Sequence, residues 1–338
     1  MASLVPVFVA SSPAAQTRAP SGRDAPPDDS KPLSAAVVRA LDAVVSLRAE
    51  VPRSARTAET LGTERAGHGV LVDDDGLVLT VGYLIMEARS VEVVEAGGRR
   101  LSASIVAYDF DSGFGLVRTA LPLRAKALSL GDSAALKFKD VVTVAGHGGP
   151  GAAQRAIVTD RRDFAGYWEY LLENAVFTSP PYGSFGGAAL IGEDGALLGI
   201  GSLFVGDAYR AHGGVLPGNM FIPVEKLKPI LETLKRGERA GASRPWLGVY
   251  TQQMPGRLAV AYVAPDSPAE RAGLTRGDLI RRVDGVDVDE IAEFYRKLWS
   301  LGPGGTSVTL GVERDGIVVD VVVRSVDRYR YLKLDGSL

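Results

Sequence analysis

The sequence predicts a mainly β protein in two units: a larger β-barrel or sandwich, then a smaller α+β unit. Three observations carry this. Forty glycines and nineteen prolines lie among many short Val/Leu runs in 338 residues, which favours strands with frequent turns over a helical bundle. Hydrophobic residues make up 46% of the chain, enough for a sizeable core. From Gly69 to Val224 strand-like runs follow one another, separated by Gly/Asp turns, with no useful helix between them.

Taken in order, the N-terminus MASLVPVFVASSPAAQ has an apolar run, Leu4 to Ala10, followed by small residues, with Ser12-Pro13-Ala14 as a cleavage site. No Lys or Arg precedes the run, so residues 1–32 read as a weak export signal followed by a disordered linker rich in Ser, Pro and charge. A helix then runs into a strand near Ala43 to Val51, and 51–69 form a loop. The runs GVLVD, GLVLTV, SVEVVEA, SASIVAYD, FGLVRT, DVVTVAG, RAIVTD, GAALIGEDGALLGIGSLF and GNMFIPV are the strands, with a tight turn at Gly192 to Gly195. A helix over Val224 to Gly237 closes the larger unit, 33–237, and 238–244 is a linker. The smaller unit, 245–326, reads as two strands, a short helix SPAERAG, a strand LIRRVDG, a helix DEIAEFYRKLWSL and a final hairpin turned at Asp315-Gly316. Residues 327–338 read as a C-terminal tail.

Several functions are excluded or disfavoured. A net charge of −2 gives no electrostatic case for nucleic acid or an anionic membrane. The chain has no cysteine, hence no disulfide, thiolate metal site or cysteine nucleophile. No run is long enough for a membrane-spanning helix. Asp73 to Asp75 reads as a solvated hairpin turn, since no further oxygen ligands follow at calcium-loop spacing. No metal and no cofactor are expected.

The order of parts resembles the HtrA family, in which a trypsin-like double β-barrel (the chymotrypsin fold) precedes a PDZ domain. RPWLGV, Arg244 to Val249, matches the family's carboxylate-binding loop, and VAPDSPAERAGLTRGDLIRRVDG, Val263 to Gly285, is close to its PDZ consensus. GHGVLVDDDGLVLT, LSLGDSAALKFKDVVTVAGHGGPG and NMFIPVEKLKPIL look like its barrel segments. The catalytic positions depart from the pattern. Tyr83 in TVGY stands at the His position, Gly113 in SGFGL at the Asp position, and Phe185 in GSFGG at the Ser position. The loop before Phe185, from Thr178 to Gly183, is about two residues shorter than the family's.

Acyl transfer needs a nucleophile, a base and a group that orients the base. Phenylalanine has no transferable proton, tyrosine with a pKa near ~10 is a poor base, and glycine orients nothing. The glycines at 183, 186 and 187 still permit the tight turn, so Gly183, Ser184 and Gly186 read as a remnant oxyanion loop. Phe185 and Tyr83 are expected near each other, as a plug or as an aromatic floor.

The reading is therefore a pseudoprotease that binds polypeptides or protein C-termini. The alternatives are an active serine endopeptidase with a relocated nucleophile, and an envelope protein whose PDZ domain is vestigial. A relocated site would pair Ser184 with His147; His68, placed ahead of the first barrel strand, and His212 read as polar loop residues. The resemblance implies that backbone N–H groups of Trp246, Leu247, Gly248 and Val249 capture a terminal carboxylate. A peptide strand would lie beside Val249 to Thr251, and Leu247, Val249, Ile291 and Phe294 would line the pocket. It also implies a homo-trimer or a hetero-oligomer with an active relative, in the periplasm or cell envelope, with the cytoplasm left open.

Overall fold

The computed structural model describes residues 32–211 and 214–332. The export-signal segment with nearly all of the linker, His212 and the end of the C-terminal tail lie outside the described residues. Contacts divide the rest into two units. The larger comprises 32–162 with 174–240, and the smaller comprises 163–173 with 241–332.

The larger unit holds two closed six-stranded antiparallel barrels. The first is built from β1 (Val44–Glu50), β2 (Glu64–Leu71), β3 (Leu77–Val81), β4 (Ser90–Val94), β5 (Arg100–Tyr108) and β6 (Phe114–Thr119), in the order β1-β2-β3-β6-β5-β4. The second is built from β7 (Val141–Ala145), β8 (Ala153–Gly166), β9 (Tyr170–Ser179), β10 (Ala189–Ile191), β11 (Leu197–Ala211) and β12 (Gly214–Pro223), in the order β10-β11-β12-β9-β8-β7. Closure removes the open edges that such sheets would otherwise expose. Apolar side chains at period two fill each interior: Val45, Leu47, Val70, Leu79, Val93 and Leu116 in the first, and Val142, Val144, Val158, Val176, Leu190 and Phe221 in the second.

Local chemistry sets the connections. Ser34 caps the helix Ala35–Ala40 by accepting from the Val37 N–H, and a 3₁₀ turn at Leu41–Ala43 leads into β1. The Asp73 carboxylate accepts from the Asp75 and Leu77 N–H groups, which makes the acidic run a hairpin turn. Gly192 to Gly195 turns β10 into β11, with the Gly195 N–H donating to the Gly192 carbonyl. The single helix expected over Val224 to Gly237 is instead a 3₁₀ turn at Val224–Lys226 and a short helix at Leu231–Lys235. Pro229 lies between them, and it has no N–H to give to a continuous helix.

The smaller unit is a sheet of β13 (Val249–Met254), β14 (Arg257–Val263), β15 (Leu279–Val283), β16 (Val286–Asp287), β17 (Ser307–Arg314) and β18 (Ile317–Arg324). Its order is β13-β14-β15-β17-β18, with β16 paired to β15. Ser267 caps the short helix Pro268–Arg271, and the helix Ile291–Ser300 buries Phe294, Tyr295 and Leu298 among Val249, Leu258, Ile280 and Leu310. Residues Arg328–Tyr331, read from sequence as tail, form a helical turn that buries Tyr329. The Tyr331 ring lies 4.2 Å from that of Trp246.

Candidate functional site

In the larger unit the structure brings the three departed positions to one place. Tyr83 sits in a 3₁₀ turn, Gly82–Leu84, just after β3. The N–H of its neighbour Gly82 donates to the Gly113 carbonyl at 2.8 Å. The Tyr83 hydroxyl donates to the Ser202 carbonyl at 2.9 Å, and a methyl group added to Gly186 would stand 2.9 Å from that hydroxyl. Tyr83 thus lies under the loop that carries Phe185. Burial pushes its phenol above the ordinary value, so it stays protonated. Tyr83 and Phe185 make no ring–ring contact among the described residues, so neither the plug nor the floor takes the form of a stacked pair.

The loop is held from several sides. The Tyr182 hydroxyl donates to the Ala152 carbonyl at 2.9 Å, and the Tyr182 N–H donates to Asn219 Oδ1 at 2.6 Å. The His68 N–H donates to the Gly186 carbonyl at 2.9 Å. Gly187 is obligatory, because a Cβ there would lie 1.9 Å from the His68 carbonyl oxygen. Arg65 secures the Tyr83 turn by donating to the carbonyls of Tyr83 and Met86, both at 2.8 Å. Burial lowers the Arg65 guanidinium to about 10.

His68 was expected ahead of the first barrel strand; it lies inside β2, facing this loop. Its Nδ1 accepts from the His147 N–H at 3.1 Å. A nitrogen that accepts carries no proton, so the ring is the neutral tautomer with its proton on Nε2. Burial, with His147 adding to it, lowers His68 to about 4. The unprotonated nitrogen, Nδ1, is therefore already committed. His147 Nε2 faces the Glu95 carbonyl at 3.1 Å. Ser184 is exposed, and its hydroxyl makes no side-chain hydrogen bond to either histidine among the described residues. Phe185 supplies no nucleophile, the Tyr83 hydroxyl is spent on a carbonyl, and Gly113 has no side chain.

In the smaller unit, the N–H groups of Leu247, Gly248 and Val249 converge on one carboxylate, that of Glu169. Leu247 donates at 3.1 and 3.2 Å to the two oxygens, Gly248 at 2.6 Å and Val249 at 3.0 Å. Trp246 does not join them: its N–H donates to the Val326 carbonyl at 2.9 Å. Phe294 is fully buried in the core and Ile291 partly buried against it, so Phe294 packs the unit rather than opening to a ligand. Burial raises Glu169 to about 7, against the opposing pull of the three N–H groups and of Arg328. Glu169 and Tyr295 were not picked out from sequence, because their roles depend on contacts across 78 to 129 residues.

These features define a trypsin-like double barrel joined to a PDZ unit. Family models agree: a trypsin-like peptidase domain matches residues 67–200, and a PDZ domain matches residues 260–314. The chain is similar to periplasmic HtrA-type proteins across both units. It is 27% identical over 271 residues to the periplasmic serine endoprotease DegP of Escherichia coli, covering 75% of this chain and 56% of that protein. It is 26% identical over 278 residues to the periplasmic pH-dependent serine endoprotease DegQ of the same organism, covering 77% and 59%. The chain thus spans little more than half the length of these relatives. Among solved structures, the HtrA-type protease AlgW with decapeptide superposes at a TM-score of 0.52 and 21% identity, covering 87% of this chain and 98% of that one. The serine endoprotease from Yersinia pestis does so at 0.51 and 22%, covering 86% and 96%. These two likenesses concern the fold.

Proposed function

We propose that this HtrA-like chain has no peptidase chemistry and holds polypeptides or protein C-termini through its PDZ unit, as a chaperone-like holder, an adaptor or a regulator of an active relative. Its place of work is the periplasm or cell envelope, where the named relatives act, and it assembles as a homo-trimer or with an active relative. The observation that carries the reading is Phe185 in the loop between the barrels. Loss of the serine alone costs about 10⁶-fold in turnover in a well-studied serine protease. Against the rival with Ser184 as nucleophile, the unprotonated nitrogen of His68, Nδ1, already accepts from the His147 N–H, and the Ser184 hydroxyl makes no hydrogen bond to either histidine among the described residues. The test is fluorophosphonate labelling of the purified chain together with casein degradation over hours, beside an active relative and Ser184→Ala. No labelling and no cleavage is the expected result. Labelling that disappears in Ser184→Ala would establish a relocated serine protease instead.

A further inference from the structure

Residues 163–173, the tip between β8 and β9, belong by contact to the PDZ unit. We propose that this tip is the resident ligand of the unit's peptide site, with the Glu169 side chain standing in for a chain-terminal carboxylate. The inference rests on reading that unit as a peptide-binding one, and it names the occupant of the site.

A terminal carboxylate in such a site is met by adjacent backbone N–H groups, and the chain leading to it adds a strand to the sheet edge. Both halves of this arrangement are filled from within the chain. The three N–H groups of Leu247, Gly248 and Val249 point at the Glu169 oxygens. Two residues earlier, the Tyr167 carbonyl accepts from the Thr251 N–H at 2.9 Å, as an added strand beside β13 would. A chain that continues past the site has no α-carboxylate to offer, so a side-chain carboxylate must serve. Glu169 has φ of 55°, which turns the chain away where a free peptide would stop.

The segment is anchored along its length. The Tyr295 hydroxyl accepts from the Glu169 N–H at 2.9 Å and donates to the Gly166 carbonyl at 2.8 Å. Asp163 is ion-paired with Arg296 on the same helix. Leu171 is 8% exposed and joins the core of the unit with Leu247, Val249 and Phe294. Buried polar groups at both ends are thereby satisfied without any external peptide. An external C-terminus must displace the tip first, so its apparent affinity falls by the fraction of molecules that are open.

The test uses the full chain and the Glu169→Ala variant, and reads hydrogen exchange at the Leu247 and Gly248 amides. Their only acceptor among the described residues is Glu169. It also reads anisotropy of a fluorescein-labelled hexapeptide ending in Tyr-Trp-Leu with a free carboxylate, with its C-terminal amide as control. In the wild type, without peptide, these amides are expected to exchange at least about 10-fold more slowly than unstructured ones, and Glu169→Ala removes that protection. The acid peptide is expected to bind the variant at least about 10-fold more tightly than the wild type, and the amide to bind neither. If the variant does not fold, the wild-type exchange rates decide alone: unprotected Leu247 and Gly248 amides overturn the proposal. Unchanged exchange with equal peptide affinity in both proteins overturns the resident ligand while leaving a peptide-binding PDZ unit. Lost protection with no peptide binding in either protein sustains the resident ligand and removes the peptide-binding function.

Discussion

Arg65 is 4% exposed, and its guanidinium meets two carbonyls in the turn that positions Tyr83. Arg65→Met keeps much of the volume and leaves both carbonyls unmet, at a cost of about 2–4 kcal/mol. A fall in the urea midpoint, with unchanged slope, would show it. Two buried groups nearby in sequence logic but in separate units respond oppositely to pH. His68 is lowered from 6.5 to about 4, so its contribution is complete above pH 6.5 and is lost as pH falls through 4. The loss is on the order of 3 kcal/mol at most. His68→Gln should shrink the difference in urea midpoint between pH 7.5 and 4.5; an unchanged difference would place the acid sensitivity elsewhere. Glu169 is raised from 4.5 to about 7, so the closed tip takes up a proton. Its closure is strongest below pH 4.5 and loosens as pH rises through 7, with Arg328, Tyr295 and Tyr250 as the charged and titratable neighbours. Exchange at the Leu247 amide, corrected for intrinsic rate, should therefore be less protected at pH 8 than at pH 5.

At the scale of elements, the turn before β6 bears on what restoring three side chains would do. Gly113 has φ of 86°, and its N–H donates to the Asp109 carbonyl while Asp109 also takes the Ser112 hydroxyl at 2.6 Å. An aspartate at 113 would hold a left-handed backbone at a cost of about 1 kcal/mol, which lowers the melting temperature of a unit this size by roughly 2–4 °C. The triple variant Tyr83→His, Gly113→Asp, Phe185→Ser is expected to remain without casein cleavage, and measurable cleavage would show that the frame is still competent. The strands were legible because their apolar residues alternate between Gly/Asp turns, and the order of units followed from the PDZ segment. The helix over 224–237 was overread because its apolar spacing is helical while Pro229 interrupts it. His68 was misplaced because its glycine neighbours look like a loop, whereas Gly67 and Gly69 pair across β1 with Leu47 and Val45. The span 163–173 carried no local signal: Glu169 is one acid among aromatics, and only the folded chain brings it to Gly248.

At the scale of the whole molecule, the smaller unit is not one continuous stretch of sequence, since it comprises 163–173 as well as 241–332. A fragment beginning at residue 241 therefore lacks part of its own core and the carboxylate that three N–H groups require. Losing Leu171 alone removes about 2 kcal/mol of apolar burial, and the unmet N–H groups of the loop return to water. The fragment should melt at least roughly 8 °C below the same unit in the full chain, from about 4–8 °C per kcal/mol for a unit this size. It should also bind the acid hexapeptide more tightly than the full chain does, because nothing competes for the site. A synthetic 163–173 peptide added in trans should raise the fragment's melting temperature and displace the hexapeptide, whereas the same peptide with Ala in place of Glu169 should do neither. Equal affinity of fragment and full chain, together with no effect of the added peptide, would mean that the tip and the loop meet without competing for ligand.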